Sequence, residues 1–215
     1  MKIEALEIER LERRLREAKP GPAAQLRMAP NPRLGHRPYT EVEDSCLKAG
    51  VLILLYPRDG EMYLSLIRRT GLVFHHRDQI GLPGGRLEAG EDFVRAALRE
   101  TQEELGIAPE GLRVIGDLTP LYIPPSNFCA YPVVAVASET PVFQPDPREV
   151  AEVIEIPLGH LADPDRAGRE TWLAGGRSLE VPFYAFGSHK IWGATAMILS
   201  EFLEILGSNL HFAKV

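Results

Sequence analysis

The sequence predicts an α/β fold in which helices cover both faces of a mixed β-sheet. The chain has 215 residues, 45% of them hydrophobic and 25% charged, which suits one globular domain with a substantial core. Short apolar runs with strand character are interleaved with two long amphipathic helices, one in the middle of the chain and one near its end. This alternation is typical of a sheet packed between layers of helix.

The N-terminal part is predicted to be a helix followed by an extended connector. Apolar side chains recur between charges over residues 2–19, and the Pro-Gly-Pro sequence at 20–22 would end the helix. We expect this helix to pack on its own domain, and pairing with a second subunit, as a homodimer, is the alternative. The proline- and glycine-rich residues 20–45 are predicted to be extended. The expected parts are thus residues 1–44, helix and connector, and 45–215, the main domain.

The main domain is predicted to begin with a β-hairpin. Its strands, residues 49–56 and 62–68, flank a tight turn with the sequence Arg-Asp-Gly-Glu at 58–61. Further strands are predicted over the ranges 112–123, 128–138, 153–157 and 178–186. The first two of these form a pair joined by Pro-Pro-Ser-Asn, which has turn chemistry. The last element is an amphipathic helix over residues 191–206.

The most informative segment is GRLEAGEDFVRAALRETQEELGI, residues 85–107. Glu100, Glu103 and Glu104 are spaced i, i+3, i+4, so a helix places them on one face. Like charges at this spacing destabilise a helix. A hard cation that prefers oxygen ligands, such as Mg²⁺ or Mn²⁺, would turn the repulsion into attraction. We therefore expect a divalent metal at this face.

The flanks of this helix are also informative. The glycines of Pro83-Gly84-Gly85 allow a sharp turn and a close approach of the backbone to a ligand. Gly106 stands where a helix would end in a left-handed cap. A second stripe on the helix could dock on the core and consists of Val94, Leu98, Thr101 and Leu105.

The segment resembles the Nudix box, the signature of hydrolases that split nucleoside diphosphates linked to another group. The resemblance is carried by Gly85, by Glu91 and by Arg-Glu-Thr-Gln-Glu-Glu-Leu-Gly-Ile at residues 99–107. Thr101 departs from the pattern at an aliphatic position. The resemblance implies an α-β-α sandwich with a mixed sheet, in which the box forms a loop-helix-loop. It also implies that Glu91 is a structural residue or an outer ligand.

The same resemblance implies roles for the other box residues. Glu100, Glu103 and Glu104 would be the ligands of the Mg²⁺ or Mn²⁺ ion. The carbonyl oxygen of Gly85 is a plausible further ligand. Arg99 would orient a glutamate through an ion pair.

The general base is left open by the sequence. Glu103 or Glu104 could take the proton from a water molecule, or a glutamate beyond the box could do so. Glu149, Glu152 and Glu155 are candidates for that second case, and Glu152 is the first choice. Exposed glutamates beside a strand are common, so a purely structural role is at least as frequent for each of the three.

The segment SLIRRTGLVFHHRDQIGLPGG resembles a second motif, which marks coenzyme A pyrophosphatases within the Nudix family. Arg69 and the Pro-Gly-Gly sequence match that motif, and Arg69, Gly84 and Gly85 are expected to bind the substrate. The positions at which the motif has an arginine, a glycine and a phenylalanine hold Phe74, Asp78 and Leu82. The C-terminal sequence FYAFGSHKIWGATA is similar to the same subgroup.

His75 and His76 have no cysteine or histidine partner at the spacing of a zinc site. We expect them to be inert loop residues.

Composition excludes several classes of function. The net charge of −6 and the pI of about 5.6 argue against a nucleic-acid partner. No apolar run is long enough to span a membrane, and residues 1–19 lack an apolar signal region. Cys46 and Cys129 are too few to suggest a disulfide framework. A reduced, cytoplasmic protein is therefore expected.

These observations predict a metal-dependent hydrolase with a small nucleotide substrate. The resemblance implies coenzyme A or its thioesters, cleaved at the diphosphate to 3′,5′-ADP and (acyl-)4′-phosphopantetheine. ADP-ribose or another nucleoside diphosphate derivative is the alternative, because the box defines the chemistry and not the leaving group. A nucleotide-binding module without catalysis ranks lower, since every box glutamate is present.

Overall fold

The computed structural model describes residues 2–32, 45–70, 79–174 and 176–207. His75 and His76, and residues 33–44 of the predicted connector, lie outside the described residues. The helices are α1 (Lys2–Arg16), α2 (Pro22–Gln25), α3 (Phe93–Leu105), α4 (Leu158–Ala162) and α5 (Gly193–Leu206). The strands are β1 (Leu47–Arg58), β2 (Glu61–Arg69), β3 (Ile80–Gly81), β4 (Gly84–Arg86), β5 (Leu112–Asp117), β6 (Leu121–Ile123), β7 (Phe128–Ala137), β8 (Val150–Pro157), β9 (Ala167–Ala174), β10 (Arg177–Phe186) and β11 (His189–Trp192).

The main sheet of the described residues has eight strands and is mixed. Its central order is β3-β2-β1-β7-β5, with β4 on β1, β6 on β7 and β8 on β2. Strands β1 and β7 run parallel, and the other pairs are antiparallel. A second, antiparallel sheet has the order β11-β10-β9. The predicted mixed sheet and the predicted β1–β2 hairpin are confirmed.

The two faces of the main sheet are covered by different helices. Along β1, Leu52 and Leu54 pack into the cluster that contains α3, whereas Ile53 and Leu55 pack into the cluster that contains α5. Successive side chains of a strand point to opposite faces, so the unbroken apolar run of β1 supplies both cores. The predicted α-β-α sandwich is thereby confirmed.

Helix α1 packs on its own domain, as the sequence favoured. Leu11 and Leu15 are buried in the core cluster of α5. Arg14 Nη1 donates to the carbonyl oxygens of Ile205 at 2.9 Å and Leu206 at 2.7 Å, at the C-terminal end of α5. These contacts satisfy carbonyl groups that have no partner within the helix. The proposed boundary at residue 45 stays a prediction.

Several elements differ from the sequence-based prediction. The final helix begins at Gly193 and not at Ile191, because Ile191 and Trp192 pair with β10 as the end of β11. Residues 22–25, predicted to be extended, form α2, with a proline in the first turn where its missing N–H costs nothing. Strand β9 was not predicted, and its pairing with β10 is what makes it a strand.

The prediction of reduced cysteines was wrong, since Cys46 and Cys129 form a disulfide with their Cα atoms 5.8 Å apart. Cys129 lies in β7 opposite Lys48 of β1, so the parallel pairing brings the two cysteines together. A cysteine count carries no information about such proximity. Within the described residues, no helix is long and apolar enough to cross a membrane.

Candidate active site

Glycines allow β1, the turn before the box and α3 to pack closely. A Cβ atom at Gly50 would lie 2.2 Å from the carbonyl oxygen of Phe93, so β1 touches the backbone of α3. Gly84 has φ 149° and approaches β1 just as closely. A Cβ atom at Gly85 would lie 2.3 Å from the carboxyl carbon of Glu100. The glycine turn therefore makes the space that the Glu100 carboxylate occupies.

Local sequence explains both ends of α3. Asp92 caps its N-terminus by accepting from the Arg95 amide at 2.8 Å. Gly106 ends it in the left-handed conformation, φ 71°, as predicted. The departure at Thr101 is accommodated because its buried hydroxyl donates to the Ala97 carbonyl oxygen at 2.7 Å. The buried side of α3 thus tolerates a hydroxyl where an aliphatic side chain was expected.

Arg99 organises the exposed part of the acidic face. Its Nε donates to Glu91 at 3.0 Å, and its Nη1 donates to Glu100 at 2.9 Å and to Glu103 at 3.0 Å. The hydrogen bond from Arg99 is the main cause that lowers the pKa of Glu91. The same pairing with Glu91 raises the pKa of Arg99. Arg99 thus offsets the repulsion between box carboxylates, and its orienting role stays a prediction.

Glu104 points inward and is 1% exposed. Its Oε2 accepts from the Gly84 amide at 2.8 Å. Its Oε1 lies 2.9 Å from Arg69 Nη2 but outside hydrogen-bond geometry, and no other partner in the described residues satisfies it. Burial raises the pKa of Glu104 to about 7, against the lowering effects of Arg69 and of the Gly84 hydrogen bond.

Arg69 joins the glycine turn to the acidic helix. Its Nη2 donates to the Gly84 carbonyl oxygen at 2.7 Å and faces Glu104 at 2.9 Å. Its side chain is 20% exposed, so part of it remains open to a ligand. The structure therefore brings Arg69, Gly84, Gly85 and Glu104 together, and their roles in binding stay predictions.

The three glutamates beyond the box occupy different environments. Glu152 accepts from Arg68 Nε at 3.0 Å and lies 3.1 Å from His189 Nε2. Glu155 accepts from Tyr56 and pairs with Arg58.

Glu149 differs from Glu152 and Glu155. Its side chain is exposed, and its charge acts on two glutamates of the box. Burial is the main cause that raises the pKa values of Glu100 and Glu104, and the charge of Glu149 adds to both shifts. The Glu149 carbonyl oxygen accepts from the Thr70 amide at 2.9 Å, one residue after Arg69. The register of β8 on β2 places Glu149 there, and no motif in the sequence reveals that register.

The residues of the acidic face fit a hard divalent cation. Their donors are carboxylate oxygens, the ligands that Mg²⁺ and Mn²⁺ prefer, and Glu104 Oε1 is a buried oxygen without a hydrogen-bond donor. In the described part of the chain, no three acidic, histidine or cysteine side chains converge on one point. Their contacts differ, since Arg99 donates to Glu100 and Glu103, whereas the Gly84 amide donates to Glu104.

A family comparison agrees with this geometry. The profile described as NUDIX domain matches residues 47–175, which is more than half of the chain and includes the whole acidic helix. The chain belongs to the Nudix family. Hydrolases of this family generally need divalent metal ions.

Relatives of this Nudix hydrolase include enzymes with assigned names. Human mitochondrial coenzyme A diphosphatase NUDT8 is 33% identical over 170 residues, covering 77% of this chain and 68% of that protein. The uncharacterized Nudix hydrolase NudL of Yersinia enterocolitica is 34% identical over 160 residues, covering 73% of this chain and 80% of that protein.

Solved structures support the fold alone. A MutT/nudix family protein from Enterococcus faecalis has 18% identity and a TM-score of 0.52, covering 78% of this chain and 70% of that chain. A MutT protein from Methanosarcina mazei Go1 has 15% identity and a TM-score of 0.50, covering 77% of this chain and 96% of that chain.

Proposed function

We propose that this Nudix hydrolase cleaves the diphosphate of coenzyme A or its thioesters, giving 3′,5′-ADP and (acyl-)4′-phosphopantetheine, with Mg²⁺ or Mn²⁺. The observation that carries the proposal is the unsatisfied, buried Glu104 Oε1 beside Arg69 on the acidic helix. The 33% identity to a coenzyme A diphosphatase, and the Arg69 motif before the box, support this substrate class.

The roles of individual residues follow from their positions. Glu100, Glu103 and Glu104 would hold the metal, with the Gly85 carbonyl oxygen as a further ligand. An ion of this kind supplies positive charge for phosphate oxygens and makes water more acidic. Arg69 would bind a phosphate oxygen with its guanidinium.

Two residues of the chain would support these groups. Arg99 holds Glu100 and Glu103 in place from one side. The Gly84 amide would fix Glu104 from the other.

Glu149 is the glutamate beyond the box that we propose as the general base, in place of Glu152. Glu149 is exposed beside the box, whereas Glu152 is held by Arg68 and His189. We expect Glu149→Gln to lower kcat at least about a hundredfold, the lower end of the range for loss of a general base, and Glu152→Gln to change it less than about twofold. Steady-state kinetics across pH would measure both. A larger loss in Glu152→Gln would restore the first choice from the sequence, and unaltered kcat in both would leave the base within the box.

A substrate panel tests the function directly. The protein is incubated with Mg²⁺ or Mn²⁺ and with coenzyme A, acetyl-coenzyme A, ADP-ribose, NADH or nucleoside triphosphates, and the products are separated by chromatography. We expect the highest kcat/KM for coenzyme A or acetyl-coenzyme A, with 3′,5′-ADP as a product. If ADP-ribose is cleaved fastest and coenzyme A is not cleaved, the proposed substrate is wrong.

The acidic face is tested by Glu103→Gln, which we expect to lower turnover at least about a hundredfold, the scale of a lost metal or base contribution. Glu110→Gln is the matched control, because Glu110 is an exposed glutamate shortly after the segment of residues 85–107. Circular dichroism would establish that both variants are folded. Near-normal turnover in a folded Glu103→Gln protein would remove the acidic helix as the active site.

A further inference from the structure

A cavity of about 280 Å³ lies on the α5 side of the main sheet, next to the glycine turn. We call it the α5 cavity. The residues that define it include Ile80, Leu82, Ile123, Trp192, Thr195 and Met197. It lies between β3, β6 and the first turns of α5. Arg69 also lines the cavity, so one guanidinium borders both the cavity and Glu104.

The walls of the α5 cavity are mainly aliphatic and aromatic. Two of its polar groups are already engaged, since the Thr195 hydroxyl donates to the Ile80 carbonyl oxygen and the Tyr122 hydroxyl donates to Asn127. None of the described residues that line it is acidic, and Arg69 is the one cationic residue among them. A neutral, largely apolar group fits such walls better than a charged one.

The position of Arg69 determines where the two arms of a bound substrate would lie. If the diphosphate lies between Arg69 and the acidic helix, one arm of the substrate extends into the α5 cavity and the other extends away from it. The two arms of coenzyme A differ chemically. One carries adenine and a charged 3′-phosphate, and the other carries two methyl groups, two amides and a neutral thiol or thioester.

We propose that the α5 cavity binds the neutral pantetheine arm and leaves the 3′-phosphorylated arm outside. Placing a phosphate dianion among aliphatic walls would remove its hydration, and the proposed function already assigns Arg69, the one cationic residue among the described lining residues, to the diphosphate. This inference rests on the proposed function, because it assumes that coenzyme A is the substrate.

Gly81 offers a way to fill the cavity without disturbing the fold. It lines the cavity, and the nearest atom to a Cβ placed there is the Thr195 hydroxyl oxygen at 3.9 Å. Its backbone is outside the left-handed region and lies in a strand, so Gly81→Val is free of backbone strain. Gly111→Val is the matched control, because Gly111 is exposed, lies away from the cavity and has no atom near a Cβ.

The test uses ¹³C-methyl-labelled methionine in the full-length protein with Mg²⁺. Met197 lines the cavity, and Met62 lies at the start of β2 as an internal reference. Met197→Leu assigns the Met197 signal. Pantetheine, 4′-phosphopantetheine and 3′,5′-ADP are the ligands. We expect the first two to shift the Met197 signal and 3′,5′-ADP to leave it in place, with Met62 unmoved.

The glycine variants complete the test. We expect Gly81→Val to weaken 4′-phosphopantetheine binding at least about tenfold, and Gly111→Val to bind it like the wild type. A Met197 shift with 3′,5′-ADP but not with pantetheine would overturn the inference, as would no shift with any ligand. The substrate panel keeps the two proposals separate. If the wild type does not cleave coenzyme A, the proposed function fails; if it does and only 3′,5′-ADP reaches Met197, the cavity assignment alone fails.

Discussion

Two buried glutamates on opposite sides of the sheet have different surroundings. Glu104 of α3 and Glu201 of α5 are 1% and 0% exposed. Glu201 accepts from the Gly21 amide at 3.1 Å, from Gln25 Nε2 at 2.8 Å and from the Thr119 hydroxyl at 2.6 Å, and the Thr119 amide reaches both of its oxygens. Glu104 has one hydrogen bond, from Gly84, and leaves Oε1 without any in the described residues.

The difference in hydrogen bonding distinguishes a structural glutamate, Glu201, from a proposed functional one, Glu104. Burying a carboxylate is costly unless its oxygens are hydrogen-bonded, and Glu201 meets that condition entirely with donors from its own chain. It thereby ties the segment of α2 and the loop before β6 to α5. Glu104 does not meet it, because Oε1 has no hydrogen bond and is faced only by the Arg69 guanidinium at 2.9 Å among the described residues. The oxygen without a hydrogen bond, beside Arg69 and the glycine turn, distinguishes Glu104 from Glu201.

Glu104→Gln tests whether Glu104 is a functional residue. We expect it to lower kcat at least about a hundredfold, because it removes a negative oxygen from the proposed metal site. Steady-state kinetics with saturating Mg²⁺ would measure the loss. Turnover within a few-fold of the wild type would show that Glu104 is as structural as Glu201.

The stability of metal-free protein should reveal the charge on Glu104. Its folded-state pKa, about 7, is above the ordinary value of 4.5, so folding favours the protonated form. The contribution of the protonated Glu104 to the free energy of unfolding is fully present below about pH 4.5. It declines as the pH rises to about 7 and is lost above that pH. Relative to Glu104→Gln, the wild type should lose about 3 kcal/mol between pH 5 and pH 8.

Urea denaturation with a chelator at several pH values measures this difference. Glu110→Gln controls for the loss of one exposed charge. A constant gap between wild type and Glu104→Gln would mean that the buried carboxylate carries no such penalty.

Glu201→Gln tests whether Glu201 is a structural residue. Its new amide group would face hydrogen-bond donors, so we expect a loss of about 2 kcal/mol in the free energy of unfolding. We also expect kcat to remain within about twofold of the wild type, since Glu201 is remote from the acidic helix. Urea denaturation and kinetics on the same sample would check both parts. A large fall in kcat with unchanged stability would reverse the roles of the two glutamates.

The local features of the site could be predicted from the sequence. Helix α3, its cap at Gly106, the shared face of its glutamates and the close approach of Gly85 all depend on residues within one short segment. The features that were missed depend on contacts between distant segments. Trp192 ends a strand because it pairs with Phe183, and Glu201 has its donors as many as 180 residues away.

The choice between Glu149 and Glu152 shows the same limit. A register shift between Arg68 and Arg69 pairs Glu152 with Arg68 but Val150 with Arg69. The residue just before Val150 is therefore carried to the Arg69 end of the site. Side chains alternate strictly along regular strands, so a sequence pattern cannot anticipate such an irregularity.

The bridge between Cys46 and Cys129 closes a covalent ring, with a sequence separation of 83 residues. The segment between the two cysteines contains the acidic helix and the glycine turn, whereas α1 precedes it and α5 follows it in the sequence. A protease that cuts the backbone once inside the ring would open it without dividing the molecule. Such nicked protein would migrate as one species on a denaturing gel and separate into two fragments only after a reductant is added.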